Sequence, residues 1–224
     1  MLCRFNPYLA PALYLALSFA CMPPVNAAAT SSSAYEVVRL ASDRIMTIVE
    51  GAAVYADEEP DRYYRELAGV LDDVVDFSGF ARGVMGPYAS KSYYKSLSSE
   101  GKSVLRGQVQ RFTEQIRVGL VRTYGKGLLV FSGSRVEVQR PNEESDESNK
   151  SSIIQLIYSD ASEPYVIRYQ MRRSKDGVWK LRNLIVESIN LGQVYRNQFQ
   201  AAVRDNDGDL DAVINNWIDA DLDS

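Results

Sequence analysis

Two places in this chain bring together residues able to do chemistry. The first is Asp205-Asn206-Asp207-Gly208-Asp209-Leu210-Asp211, an oxygen-rich run of the kind a calcium ion needs. Its register fails: with Gly208 as the obligatory sixth-position glycine, the first and twelfth positions are Val203 and Ile214, so both essential carboxylates are missing. The run reads instead as an interhelical turn in which Asp209 caps the following helix. The second is Glu187. If the last strand alternates regularly, Glu187 and Asn183 share a side with Trp179, Leu181, Ile185 and Ile189. A carboxylate on an apolar face has its pKa raised and can act as a general base, as in cone-shaped isomerase and dehydratase folds. The other reading is a bend that turns Glu187 outward, or a structural hydrogen bond to nearby backbone or an arginine. Histidine is absent, which removes Ser-His-Asp and Cys-His catalysis and imidazole metal sites together. No metal or cofactor is expected.

Binding is the other chemistry on offer. Tyr88, Tyr93, Tyr94, Tyr124, Tyr165, Tyr169 and Tyr195 all lie near apolar runs. Their rings can line a greasy cavity with the hydroxyls at its polar mouth, or they can be ordinary core residues; periodicity alone does not separate the two. With 25 Lys+Arg against 29 Asp+Glu and no basic run to track phosphates, nucleic acid is not expected as a partner.

The elements that must position these residues follow an export segment. Residues 1–27 carry Arg4 as their only charge, an apolar run from Leu9 to Ala20 interrupted by Pro11, and small residues at Val25 and Ala27, the pattern of a cleaved secretory signal. The run is shorter than the ~20 residues needed to span a bilayer. Both cysteines, Cys3 and Cys21, fall inside it, so the exported chain has no disulfide and rests on packing. Residues 28–224 are expected to form a single domain, long enough to bury roughly 70% of their unfolded surface.

Helical spacing marks a first helix through Tyr35, Val38, Ser42, Ile45, Val49 and Ala52. Pro60 opens a second, with Tyr64, Leu67 and Leu71. Asp76 caps a short third that carries Phe80 and Val84 and stops at Gly86-Pro87. A long helix from about Ser98 presents Leu105, Val109, Phe112, Ile116 and Leu120. Past Gly127 the period becomes two: Val136 and Val138, then Ile154, Leu156 and Tyr158, then Tyr165, Ile167, Tyr169 and Met171, then Val178 to about Asn190. The segment Pro141 to Ser152 reads as a solvated hairpin tip. Two closing helices carry Leu191, Val194, Tyr195 and Phe199, and Leu210, Val213, Ile214 and Trp217. The predicted fold is α+β, with helices covering one face of a curved antiparallel sheet of about four strands and enclosing an apolar cavity.

The stretch Gly177 to Phe199, with Trp179-Lys180 at its strand start and Tyr195-Arg196-Asn197-Gln198-Phe199 in its helix, resembles the MlaC/toluene-tolerance family. Further matches are Asp76 to Tyr88, Arg111-Phe112 through Leu120 to Thr123-Tyr124, and Gly208-Asp209-Leu210-Asp211, so the resemblance runs from near Tyr35 to Trp217. The chain departs from the family pattern at Asn183, where many members carry Asp, and at Ser188 and Asn190, which replace a Gly and a Ser. The resemblance implies a periplasmic phospholipid carrier, not an enzyme. Its implied partners are an inner-membrane ABC lipid transporter and an outer-membrane lipoprotein-porin complex, and its implied role is to maintain outer-membrane lipid asymmetry.

On that basis the expected lipid-lining residues are Val84, Met85, Phe112, Ile116, Leu120, Tyr124, Ile154, Leu156, Tyr165, Ile167, Tyr169, Trp179, Leu181, Ile185, Val194, Tyr195 and Phe199. A cone-fold enzyme using Glu187 and a ligand-free periplasmic interaction module remain the alternatives.

Overall fold

The computed structural model describes residues 32–141, 149–159 and 163–217. The expected export segment with both cysteines, and most of the expected hairpin tip, lie outside these residues.

Helix α1 (Ala34–Ala52) begins where the Ser33 hydroxyl accepts from the backbone N–H of Glu36, and it buries Val38, Ser42 and Val49. Pro60 opens α2 (Pro60–Val74). This helix buries Tyr63 in place of the expected Tyr64, because the Tyr63 phenol donates to the carbonyl of Gly125 at 2.8 Å. Asp76 caps α3 (Phe77–Met85), accepting from Gly79 N at 2.7 Å, and Gly86 ends it with a φ of +56°. A short helix α4 (Lys91–Ser96) follows, which the apolar pattern does not announce because it buries no residue. Ser98 then caps the 30-residue α5 (Ser99–Leu128).

Five strands come next: β1 (Arg135–Gln139), β2 (Lys150–Tyr158), β3 (Tyr165–Arg173), β4 (Trp179–Val186) and β5 (Ile189–Asn190). They form an antiparallel meander in the order β1-β2-β3-β4-β5. The expected single strand from Val178 to Asn190 is therefore two strands, reversed at Glu187-Ser188. Helices α6 (Leu191–Asp205) and α7 (Leu210–Asn215) close the chain, and Asp209 caps α7 as expected.

The helices cover one face of the sheet. Ala34 and Val38 of α1 pack on Ile153, Met171 and Trp179. A second cluster joins α3, α5, α6 and α7 and holds Val84, Met85, Phe112, Ile116, Tyr195 and Phe199. In it the Phe112 ring lies 4.9 Å from Phe199 and stands edge-on to Trp217 at 5.1 Å.

Two strands differ from the expected side-chain pattern. In β2 the residues turned to the helices are Ile153, Gln155 and Ile157, so Ile154 and Leu156 face away. The polar Gln155 is held inside because its side-chain oxygen accepts from Ser42 Oγ at 2.5 Å and from Tyr169 OH at 3.0 Å. In β4 the pairing slips by one, from Gln170 opposite Asn183 to Met171 opposite Leu181. Arg182 is the extra residue of this β-bulge, and an extra residue reverses the parity of everything beyond it. Trp179 and Leu181 face the helices before the bulge, and Leu184 and Val186 do so after it. Ile185 is turned to the outer face, opposite Arg168.

Candidate functional site

Between the inner face of the sheet and α1, α2, α3 and α5 lies a cavity of about 340 Å³, within the range typical of small-molecule sites. The sheet contributes Ile157, Ile167, Tyr169, Leu181, Leu184 and Val186. The helices add Ile45, Leu67, Leu71, Phe77, Phe80, Leu120 and Val121. Asp76 sets the position of α3 here. Besides capping the helix it pairs with Arg182 of the bulge, and its N–H donates to the Leu181 carbonyl at 2.9 Å. The side chains of Phe77 and Phe80 are thereby fixed relative to β4.

The lining residues most open to solvent are Thr123, Tyr124 and Gly127, which places the mouth at the last turns of α5. Polar groups reach the cavity only from a few side chains, among them Tyr169, Arg182 and Asn183. Burial raises the pKa of Tyr169 well above the ordinary phenol value, so it is a neutral hydrogen-bond donor at any physiological pH. Asn183 uses both ends of its amide. Its nitrogen donates to Gln170 Oε1 and to Asn190 Oδ1, each at 2.9 Å, and its oxygen accepts from Gly192 N at 2.9 Å. An aspartate in its place would have no hydrogen for the first two bonds.

Of the residues expected to line the cavity, Leu120, Tyr124, Ile167, Tyr169 and Leu181 do so. Val84, Met85, Phe112, Ile116, Tyr195 and Phe199 belong to the solid cluster between α3, α5, α6 and α7. Trp179 is core beneath α1. Tyr165 stands at the start of β3, 41% exposed, with its ring edge-on to Phe131 of the lining at 5.4 Å. Val194 is 37% exposed on α6, while Ile154, Leu156 and Ile185 lie on the opposite face of the sheet. Among residues not anticipated, Phe77 and Phe80 had a visible signal in the capped helix start at Asp76. Leu184 and Val186 had none, because the bulge that turns them inward leaves no mark in the hydrophobic pattern.

Glu187 is not on the apolar face. It is exposed at a φ of +55° in the β4–β5 reversal, and its carboxylate accepts from Val166 N at 2.7 Å while its own N–H donates to the Val166 carbonyl at 2.8 Å. This is the structural hydrogen bond of the second reading. The carboxylate ties the reversal to β3 and does not enter the cavity.

The family model for MlaC protein matches residues 39–219. The toluene tolerance protein ttg2D of Pseudomonas putida is 29% identical over 158 residues, covering 70% of this chain and 67% of that protein. Among solved structures, a phospholipid-binding protein from Ralstonia solanacearum, in complex with a phospholipid, superposes with a TM-score of 0.68 at 17% identity. That match covers 85% of this chain and 97% of the other, and it establishes a common fold.

Proposed function

The chain belongs to the MlaC family, and from that premise we propose that it is a periplasmic phospholipid carrier that shelters acyl chains in the cavity beneath its sheet. The observation that carries this reading is the apolar cavity itself, roofed by Phe77 and Phe80 and floored by Ile167, Leu184 and Val186. The Ralstonia relative of the same fold, with its bound phospholipid, supports it. The carrier is not an enzyme on this reading: Glu187, the one candidate base, is occupied at the edge of β3.

Export follows from the pattern of residues 1–27. Transfer of a CH₂ group out of water is worth about 0.8 kcal/mol, so exposing one chain of about 16 carbons costs on the order of 10 kcal/mol. Free release into water is correspondingly slow. Lipid must pass directly from cavity to cavity, which calls for transient docking to an inner-membrane ABC transporter at one end and an outer-membrane lipoprotein-porin complex at the other.

Native mass spectrometry with organic extraction, on protein purified from the periplasm without detergent, tests the reading. Phospholipid at close to one per chain is the expected result. Lipid-free protein that also takes none from donor vesicles would overturn it.

A further inference from the structure

The face of the sheet turned away from the helices has a chemistry of its own. Ile154, Leu156, Val166 and Ile185 form a half-buried aliphatic centre there, and none of them belongs to the clusters packed under the helices. Around this centre stand Arg135, Arg168, Arg172 and Lys150; of the described acids beside it, Glu137 is engaged by Arg135 at 3.2 Å and Glu187 accepts from Val166 N at 2.7 Å. Arg172 pairs with Lys150 on β2 and with Lys180 on β4, and Lys180 turns its ammonium to the Asp72 and Asp73 carbonyls at the end of α2. Among the described residues neither Arg168 nor Arg172 has an ion-pair partner. All this sits on a chain with a net charge of -4.

We propose that this outer face docks an acidic surface of a partner protein, with carboxylates on Arg168 and Arg172 and apolar side chains against the aliphatic centre. The arginine fork matches carboxylate geometry, and an apolar centre with arginines around it is the anatomy of a protein interface. A bilayer fits less well: the aliphatic side chains are half-buried, and neither Trp nor Phe, which anchor proteins in a membrane interface, is among them. The inference deepens the carrier reading by assigning docking to a face that shares no lining residue with the cavity.

The test uses the full exported chain with three probes: inner membranes and outer membranes of the bacterium that makes it, and protein-free vesicles of the lipids extracted from them. The protein should sediment with at least one native membrane, less so as salt rises, and not with the vesicles. Arg168→Glu with Arg172→Glu should weaken that binding roughly tenfold or more, about 1.4 kcal/mol per decade. Arg172→Gln alone should weaken binding to a smaller extent. A photo-crosslinker at Ser152, exposed on β2 and paired with Gln170 between the two arginines, should capture a protein whose crosslinked surface is acidic. Wild-type-like binding by the double variant overturns the proposal, as does absence of binding to either native membrane. Equal binding to the protein-free vesicles replaces the partner protein with lipid and also overturns it. Phospholipid content should be unchanged in every variant; a drop would put the face in the lipid site. Native-membrane binding by a protein that holds no phospholipid would leave this proposal standing and remove the carrier reading.

Discussion

Replacing Asp76 separates the roles the structure gives it. In Asp76→Ala the cap on Gly79 N is lost, a loss that typically costs about 0.5–2 kcal/mol. The pair with Arg182 goes too. Its side chains are 32% and 35% exposed, and a pair so placed is worth about 0–1 kcal/mol. The sum is about 0.5–3 kcal/mol, which for a domain of this size corresponds to a fall in Tm of roughly 1–12 °C. Asp76→Asn keeps an oxygen for the cap, since Asn serves as well as Asp there, and loses the ion pair alone. It should cost no more than about 1 kcal/mol. Urea unfolding followed by circular dichroism measures both. Because α3 carries Phe77 and Phe80 over the cavity, the alanine variant should also exchange lipid with vesicles faster than the asparagine variant. Equal destabilisation by the two substitutions, or an alanine variant as stable as wild type, would refute the assignment of α3's position to the cap.

Three further outcomes follow from the geometry. Ile167→Trp or Leu184→Trp, which fill the cavity, should lower the phospholipid recovered per chain, whereas Ile154→Trp and Leu156→Trp on the outer face should leave it unchanged; lipid extraction of folded variants decides. The Arg117 guanidinium, bonded to both Asp72 oxygens at 2.6 and 2.7 Å, holds that carboxyl below its ordinary value. The pair therefore stabilises the fold fully above the unfolded aspartate value of about 3.9 and progressively less as pH falls through the depressed folded value. Asp72→Asn should lose less stability than wild type between neutral pH and about pH 3, and superimposable pH profiles of the urea midpoint would count against the pair. Asn183→Asp should cost about 1–3 kcal/mol, because it removes two donated bonds and sets a carboxylate against Asn190 Oδ1, which is held by its cap on Gln193 N; a thermal melt matching wild type would show the amide to be dispensable.

Five of the helices were legible because each announces itself twice, by an apolar stripe and by a residue suited to a helix start: Ser33, Pro60, Asp76, Ser98 and Asp209 stand where an amphipathic run begins, whereas α4 buries no residue. The inner face of β3 was legible for a similar reason, since Ile167, Tyr169 and Met171 alternate with Arg168, Gln170 and Arg172. In β2 the signal inverts. The run Ile153-Ile154-Gln155-Leu156-Ile157 is apolar on both faces except for Gln155, and the strand's one glutamine points inward because Ser42 and Tyr169, distant in sequence, satisfy it. Seven of the expected lining residues turned out to be packed core for a different reason. Phe112 and Phe199 obey the same periodicity whether they meet each other or a ligand, and only the three-dimensional arrangement of α3, α5 and α6 makes them meet.

The bulge at Arg182 carries a cost in folding fidelity. Beyond it β4 reads Leu184-Ile185-Val186, three aliphatic residues that would satisfy the inner face in either parity. Burial of apolar area therefore discriminates weakly between the native pairing and one slipped by a residue, and strands of that kind are prone to misregistration. The discrimination falls to the polar Asn183, whose bond to Gln170 spans the β3–β4 pairing and belongs to one alignment, while Asn190 and Gly192 hold the rest of its amide. Gly192 reinforces it, since a Cβ there would lie 2.6 Å from the Asn183 oxygen. The shape of the cavity wall is thus proofread by an amide at its edge, and errors at that amide should appear as a second, slowly refolding population before they appear as a loss of stability.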